Sequence, residues 1–334
     1  MIADQLRTLK IGSLELANPL ILAPLSGISD LPFRLLAKEQ GCGLVSTEMI
    51  SADGLLHNRE ATERLLQSQP DERPLAVQIF GKRPESMGQA ARIVEGCGAD
   101  VLDINMGCPA RKVVRGGSGA ALLKEPERVK EIIREVRKAI SIPLTIKIRS
   151  GWDENSLNFL DVARMAEDLG VDALILHGRA RSQGYRTKAD WEVIARAKAQ
   201  LRIPVIGNGD LTSPEAVMDF FGRTDCAGAM IGRGALGNPW IFRQTLNRLQ
   251  GLPRWEPSLD EKEGTILRHL EMMVERRGEI YGMREFRKHL IWYTRGLKGC
   301  TEFRSHIPSW NTVSQMRERV HEFFQNLKRL SLFS

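Results

Sequence analysis

Pro19-Leu-Ile-Leu-Ala-Pro-Leu-Ser-Gly27 decides the fold. It is an apolar run of strand length that ends in a proline-containing turn. An open, doubly wound sheet that binds a dinucleotide carries Gly-x-Gly-x-x-Gly at this first strand-to-helix turn. Here the turn reads Ala23-Pro24-Leu25-Ser26-Gly27, so the open sheet loses its main support. With 19–23 as the first, seven more such runs follow, at 43–47, 75–79, 100–104, 144–148, 173–177, 204–207 and 227–231. Segments of helical period separate them. In 127–140, Val129, Ile132, Ile133, Val136 and Ile140 share one face, and Pro126 suits a first helical turn. Ser213-Pro214-Glu215 opens another helix in the same way, and Gly41, Gly98 and Gly170 stand where helices should stop. Apolar strands alternating with helices imply a parallel sheet covered on both faces. Eight such units in about 240 residues match a (β/α)8 TIM barrel, so the expected fold class is α/β.

After residue 249 the pattern changes. Gly251-Leu-Pro-Arg-Trp-Glu-Pro-Ser258 reads as a linker. Beyond it Ile266, Leu270, Met273 and Val274 form one helical stripe, Phe286, Leu290, Tyr293 and Leu297 another, and 312–330 is a third helix. The expected organisation is a barrel at 1–250, a linker at 251–258 and a small all-α domain at 259–334. The 334-residue chain has 48 basic and 41 acidic residues, net +7, with 15 basic and 11 acidic residues from Gly251 onward. With 283–298 drawn as a helix, Arg284, Arg287, Lys288, Arg295 and Lys298 fall within about 100° of arc, interrupted only by Ile291. No acid lies among them, and the apolar stripe lies opposite. That is the pattern of a face that meets phosphates. Five scattered cysteines without a CxxC pair argue against a disulfide framework or a structural zinc site, and no metal is expected. Apolar runs such as 19–25 and 171–176 are far below membrane-span length, and the first 16 residues lack a secretory apolar core. A cytoplasmic protein with no membrane contact is expected.

In barrels of this type, active sites lie at the C-terminal ends of the strands. There the sequence places Gln78 and Phe80 after the third run and Asn105-Met-Gly-Cys-Pro109 after the fourth. Lys147 and Arg149 lie on the fifth, and His177-Gly-Arg179, Gly207-Asn-Gly-Asp210 and Gly232-Arg-Gly234 follow at the sixth, seventh and eighth. Glycines 207, 209, 232 and 234 would let backbone N–H groups approach an anion, and the last two loops are the usual phosphate site of such barrels. Arg233 would add a charge-assisted bond. A flavin mononucleotide and a sugar phosphate satisfy this equally. Lys147, between Ile146 and Ile148, points into the barrel mouth. It is a Schiff-base nucleophile, a cation beside a flavin ring, or a partner in a structural salt bridge. His177 is a ligand to cofactor or substrate, or a satisfied structural histidine. Cys108 sits in a loop rich in glycine (Gly116, Gly117, Gly119), either as a thiol that donates a proton or as a thiolate nucleophile. Cys42, Cys97 and Cys226, beside glycines, are expected in the core.

Together these segments resemble the tRNA-dihydrouridine synthases, nearest the bacterial B type. The resemblance rests on Leu22-Ala-Pro-Leu-Ser-Gly-Ile-Ser-Asp30, Asn105-Met-Gly-Cys-Pro-Ala110, Lys147-Ile-Arg-Ser-Gly-Trp152, His177-Gly-Arg179, Asn208-Gly-Asp210 and Met230-Ile-Gly-Arg-Gly-Ala-Leu-Gly-Asn-Pro-Trp-Ile-Phe242, in family order. Ala180 and Thr187 depart from it, where the family usually has threonine and glycine. The resemblance implies an FMN-dependent barrel, an RNA-binding helical domain and NADPH as reductant. It implies that Pro24, Leu25, Ser26, Gln78, Lys147, His177, Asn208, Gly209, Asp210, Gly232 and Arg233 hold FMN and that Cys108 is the catalytic acid. Asn105, Arg149 and Arg179 are then expected at the substrate, and the five stripe cations on tRNA. Reduction of uridine in the D-loop places a hydride at C6 and a proton, from Cys108, at C5. The base must leave the RNA stack to enter the barrel mouth. A monomer is expected. The rival readings are an FMN barrel oxidoreductase acting on a small pyrimidine-like molecule, a Lys147 aldolase, and a non-catalytic RNA-binding protein.

Overall fold

The structure, a computed structural model, describes residues 8–184 and 187–331. An antiparallel hairpin comes first, β1 (Leu9–Ile11) with β2 (Leu14–Leu16). Then come β3 (Leu20–Leu22), β4 (Val45–Ser46), β5 (Ile50–Ser51), β6 (Leu75–Phe80), β7 (Val101–Met106), β8 (Leu144–Arg149), β9 (Ala173–His177), β10 (Val205–Asn208) and β11 (Gly228–Ile231). All the pairings after the hairpin are parallel, in the order β3-β11-β10-β9-β8-β7-β6-β4, with β5 also on β6. A parallel bridge between Ile21 and Leu44 brings the two ends together, with Leu22 N–H donating to Leu44 O at 2.9 Å. The result is an eight-position barrel with helices alternating around it.

Two details depart from the expected pattern. The second position is split into β4 and β5, because the chain kinks at Thr47, whose hydroxyl donates to Glu48 O and accepts from Gln78 N–H. The N-terminal hairpin was not anticipated. Its Leu9, Ile11 and Leu16 are buried with Ile21, Ile206 and Met230 and close the barrel floor.

Strand alternation sorts the side chains. Leu144, Ile146 and Ile148 of β8 face outward, into the cluster that holds Ile132, Ile133 and Val136 of the helix Pro126–Ala139. Thr145, Lys147 and Arg149 consequently point toward the barrel axis. Cys42 and Cys226 are buried, as expected, but Cys97 is exposed. It caps the helix Pro84–Gly96 just before Gly98 turns the chain at φ +78°, so its side chain faces solvent.

Beyond the barrel come the helices Leu259–Arg277, Glu279–Tyr293, Cys300–His306 and Val313–Ser331. Ser258 and Glu261 form a reciprocal cap that starts the first of these. Ile266, Leu270, Met273, Phe286, Leu290, Met316, Val320 and Phe324 form a second core, which also takes in Trp240 from the barrel side. The drawn helix 283–298 is cut short at Tyr293. Thr294 Oγ1 donates back to Leu290 O, and Gly296 then takes φ +81°. The short helix Cys300–His306 was not foreseen. The helical region rests on the barrel helix Leu31–Glu39, where Phe33 stacks near His269 and His289 and Glu39 pairs with Arg268. Among the described residues no helix is long and apolar enough to cross a membrane.

Candidate active site

A cavity of about 290 Å³ opens where the barrel strands end. Pro24, Leu25, Ser26, Lys147, His177, Asn208, Gly209, Asp210, Gly232 and Arg233 all line it, as do Asn105, Cys108 and Arg149. Gln78 and Arg179 do not. Gln78 is fully buried one layer below, and Arg179, 2% exposed, is turned toward the loop after β10.

The layer below the cavity is a hydrogen-bonded chain with a fixed direction. Thr145 Oγ1 and Gln78 Nε2 donate to the two oxygens of Asp103, at 2.6 and 2.5 Å. Gln78 Oε1 accepts from Asn105 Nδ2 at 2.8 Å, and Asn105 Oδ1 accepts from the N–H groups of Gly107 and Cys108 at 3.2 and 2.9 Å. An acid in the barrel centre therefore orients, through two amides, the backbone that carries Cys108. Asn105 Nδ2 also donates weakly to Met49 Sδ at 3.9 Å, and both residues line the cavity. Asp103 and Thr145 were missed in the sequence. An aspartate at the inward register of β7, two residues before Asn105, was the available signal.

Burial pushes the Asp103 carboxyl up to about 6, against the opposing pull of Thr145, Gln78 and Lys147. Burial likewise brings Lys147 down to about 8, with Arg149 adding to the fall and Asp103 and Cys108 opposing it. Lys147 Nζ donates to Asn208 Oδ1 at 3.0 Å, and Asn208 Nδ2 donates to Met230 O at 2.7 Å, so three strands share one contact line. His177 is held neutral, far below the ordinary histidine range, first by burial and then by Lys147, Arg149, Arg179 and Arg233 around it. Its Nδ1 is buried without a hydrogen-bond partner among the described residues.

Arg149 braces the rim. Its Nε donates to Gly107 O at 2.8 Å and its Nη1 to Ala180 O at 3.2 Å, which ties the Cys108 loop to the loop after β9. Arg179 makes a two-oxygen pair with Asp210 at 2.7 and 2.6 Å, and Arg233 adds a third bond at 2.8 Å. Burial works to raise the Asp210 pKa, but Arg179, Ala189 N–H and Arg233 hold it below the usual carboxylate range. Arg179 thus does not itself line the cavity but pairs with Asp210, which does. The glycine expectation needs correction. Gly209 and Gly232 border the cavity. Gly207 and Gly234 are required by packing, since a Cβ would lie 2.0 Å from Phe220 Cζ in one case and 2.4 Å from Leu211 O in the other. Gly119, at φ +60°, lets its loop close against Cys108, where a Cβ would meet Cys108 O at 2.8 Å.

The cationic stripe is only partly exposed. Arg284, Arg295 and Lys298 face solvent, the last two beyond the helix end. Arg287 Nη2 donates to Trp310 O at 2.7 Å, and Lys288 Nζ donates to Gly27 O. The five therefore do not form one helical face. A second basic patch, unremarked in the sequence, lies on the Cys108 loop. Residues 108–124 carry Arg111, Lys112, Arg115 and Lys124 and no acid. All four are exposed, and Lys124 and Arg181 sit over the Trp152 ring at 5.0 and 4.5 Å from its centroid. The run Arg111-Lys-Val-Val-Arg115 was its visible trace.

The family model described as dihydrouridine synthase matches residues 21–328. The chain is 40% identical over 314 residues to tRNA-dihydrouridine synthase B of Pasteurella multocida, covering 93% of each chain. It is 37% identical over 321 residues to a probable tRNA-dihydrouridine synthase of Rickettsia conorii, covering 96% of this chain and 97% of that one. Among solved structures, 2-naphthoyl-CoA reductase superposes with a TM-score of 0.60 at 13% identity, over 76% of this chain and 53% of the other. A 6-hydroxypseudooxynicotine amine oxidase from Pseudomonas geniculata gives 0.59 at 14%, over 75% and 50%. These two likenesses concern the barrel fold alone. With the family model spanning nearly the whole sequence and relatives near 40% identity along it, the chain belongs to the dihydrouridine synthase family.

Proposed function

We propose that the protein reduces uridine to 5,6-dihydrouridine in the D-loop of tRNA, with FMN as bound cofactor and NADPH as reductant, acting as a monomer in the cytoplasm. The observation that carries this reading is the convergence of Cys108, Lys147 and an unpartnered His177 Nδ1 on one cavity. The residues fit a flavin mononucleotide. A half-buried cation suits an electron-rich ring edge, a buried nitrogen lacks a partner, and Arg233 lies in the loop after the last strand, where such barrels bind phosphate. Pro24, Leu25, Ser26, Lys147, His177, Asn208, Gly209, Asp210, Gly232 and Arg233 would hold it, with Gln78 and Arg179 supporting from behind. When bound, the flavin supplies the hydride that reduces the pyrimidine C5–C6 bond.

The chain's own residues do the rest. Cys108 Sγ–H donates the proton to C5. The Asp103–Gln78–Asn105 chain fixes the backbone on which that thiol stands, and Arg149 holds the same loop from its other side. Lys147 would offer positive charge to the bound cofactor, and His177, kept neutral, would accept or donate one hydrogen bond without adding a second charge. Residues 259–334 form the RNA-binding domain. Phosphate contacts fall to Arg284, Arg295 and Lys298 and to the exposed patch Arg111, Lys112 and Arg115 on the loop that carries Cys108.

The test is nucleoside mass spectrometry of tRNA from cells lacking the protein, mapped by position. Loss of dihydrouridine at a D-loop position, restored by the intact gene, is expected. An unchanged dihydrouridine content refutes the reading, and a purified protein without flavin absorbance refutes the cofactor.

A further inference from the structure

Pro24, Leu25 and Ser26 line the cavity from a turn that is tight in itself. Leu25 O accepts from the N–H groups of Ile28 and Ser29, both at 2.9 Å, and Ser29 Oγ accepts from Leu25 N–H at 2.9 Å. The Gly27 peptide groups are held from outside the turn. Gly27 N–H donates to Glu48 Oε2, next to the cavity residue Met49, and Gly27 O accepts from Lys288 Nζ of the helix Glu279–Tyr293. Gly27 has φ +72°, the left-handed region that favours glycine, and a Cβ there would lie at an ordinary 3.8 Å from Lys288 Nζ, so the backbone angle and not crowding selects glycine. An acid from the barrel and a base from the helical region thus grip one residue from opposite ends.

We propose that Lys288 is a positioning residue for the cofactor loop and not a phosphate contact. Through it the helical region sets the shape of the flavin-facing turn, 261 residues away in the chain. The flavin half of this inference rests on the function proposed above; the grip on Gly27 does not. Lys288 keeps its ammonium on a backbone carbonyl of its own chain, while Arg284 on the same helix faces solvent.

The test compares Lys288→Met with Arg268→Gln in the full-length protein. Arg268→Gln removes a different barrel–helix ion pair, to Glu39, away from the turn. Three quantities are measured: hydrogen exchange of the segment 25–29, the FMN dissociation constant from flavin fluorescence, and the slope of log tRNA affinity against log salt. Lys288→Met is expected to speed exchange in 25–29 and to weaken FMN about fivefold, the worth of one charge-assisted bond at a partly exposed site. The salt slope should stay unchanged, and Arg268→Gln should alter neither of the first two quantities. Unchanged exchange and FMN affinity in Lys288→Met overturns the inference. So does an equal change in Arg268→Gln, which would mean general loosening of the two regions, and so does a slope that falls by about one, the signature of a lost phosphate contact. If the unaltered protein binds no FMN, the cofactor reading fails, and the exchange contrast alone then upholds or overturns the role of Lys288.

Discussion

Asn105→Asp exchanges one amide for a carboxylate of the same shape, and the hydrogen-bond chain makes its cost calculable. In the unaltered protein Asn105 Nδ2 donates to Gln78 Oε1 while Gln78 Nε2 donates to Asp103. After the exchange an acceptor faces an acceptor. Turning the Gln78 amide over does not help, because its oxygen would then meet Asp103. Leaving a buried charge without a partner costs about 3–5 kcal/mol. The bonds from Gly107 and Cys108 N–H survive and strengthen toward a charged acceptor, returning about 1 kcal/mol, so a net loss of about 3 kcal/mol is expected. At about 2.1 cal/mol/K per residue over 334 residues, this lowers the melting temperature by about 4 °C. The deficit must depend on pH. A proton on the introduced carboxylate restores the missing donor, and Asp103 beside it already sits near 6 through burial. An acid whose folded pKa lies above its unfolded value of about 3.9 destabilises fully above the folded pKa and recovers as the pH falls. Relative to the unaltered chain at each pH, the deficit should be complete at pH 8 and about half as large at pH 5. Asn105→Ala, which offers no proton site, should show a deficit independent of pH. Calorimetry at the two pH values decides it. An Asn105→Asp deficit that is equal at both pH values, or larger in acid, would refute the directed chain.

Cys108→Ala should retain FMN with an unchanged absorption spectrum and lose about 10²–10⁴-fold in dihydrouridine formation, the usual worth of a positioned acid; turnover near the unaltered rate would exclude Cys108 as the donor. FMN affinity should fall as the pH rises through about 8, where Lys147 loses its charge, and this limb should vanish in Lys147→Met. A limb that persists in the variant would belong to another group. Replacing Arg111, Lys112 and Arg115 together by glutamine should lower the salt slope of tRNA binding by about 2, at about 0.7–0.9 per phosphate, while NADPH oxidation without tRNA continues. An unchanged slope in filter binding would remove this patch from the RNA surface.

The barrel was legible because its evidence is local. Eight apolar runs separated by amphipathic helices admit few folds, and Ile146 and Ile148 on either side of Lys147 already say which way that lysine points. The errors share a different cause. A helical wheel drawn through Lys298 assumes that the helix continues, whereas Gly296 takes a left-handed turn that no wheel contains. Nor can a wheel show that Lys288 is spent on a carbonyl at Gly27 or Arg287 on one at Trp310. Glycines at 207 and 234 looked like glycines that serve a ligand, but the neighbours that exclude a Cβ there are Phe220 and Leu211 O. Motif reading assigns roles by position along one strand, whereas chemistry here is assembled across strands. Register pairs Gln78 with Asp103, Asp103 with Thr145, Asn105 with Lys147, and Arg149 with His177. Once β6, β7, β8 and β9 lie in that register, Gln78 sits beside Asp103 below the cavity lining, Asp103 accepts on both oxygens, and the direction of the bonds up to Cys108 follows. For this reason the backbone that carries the Cys108 thiol depends on Asp103, which does not line the cavity.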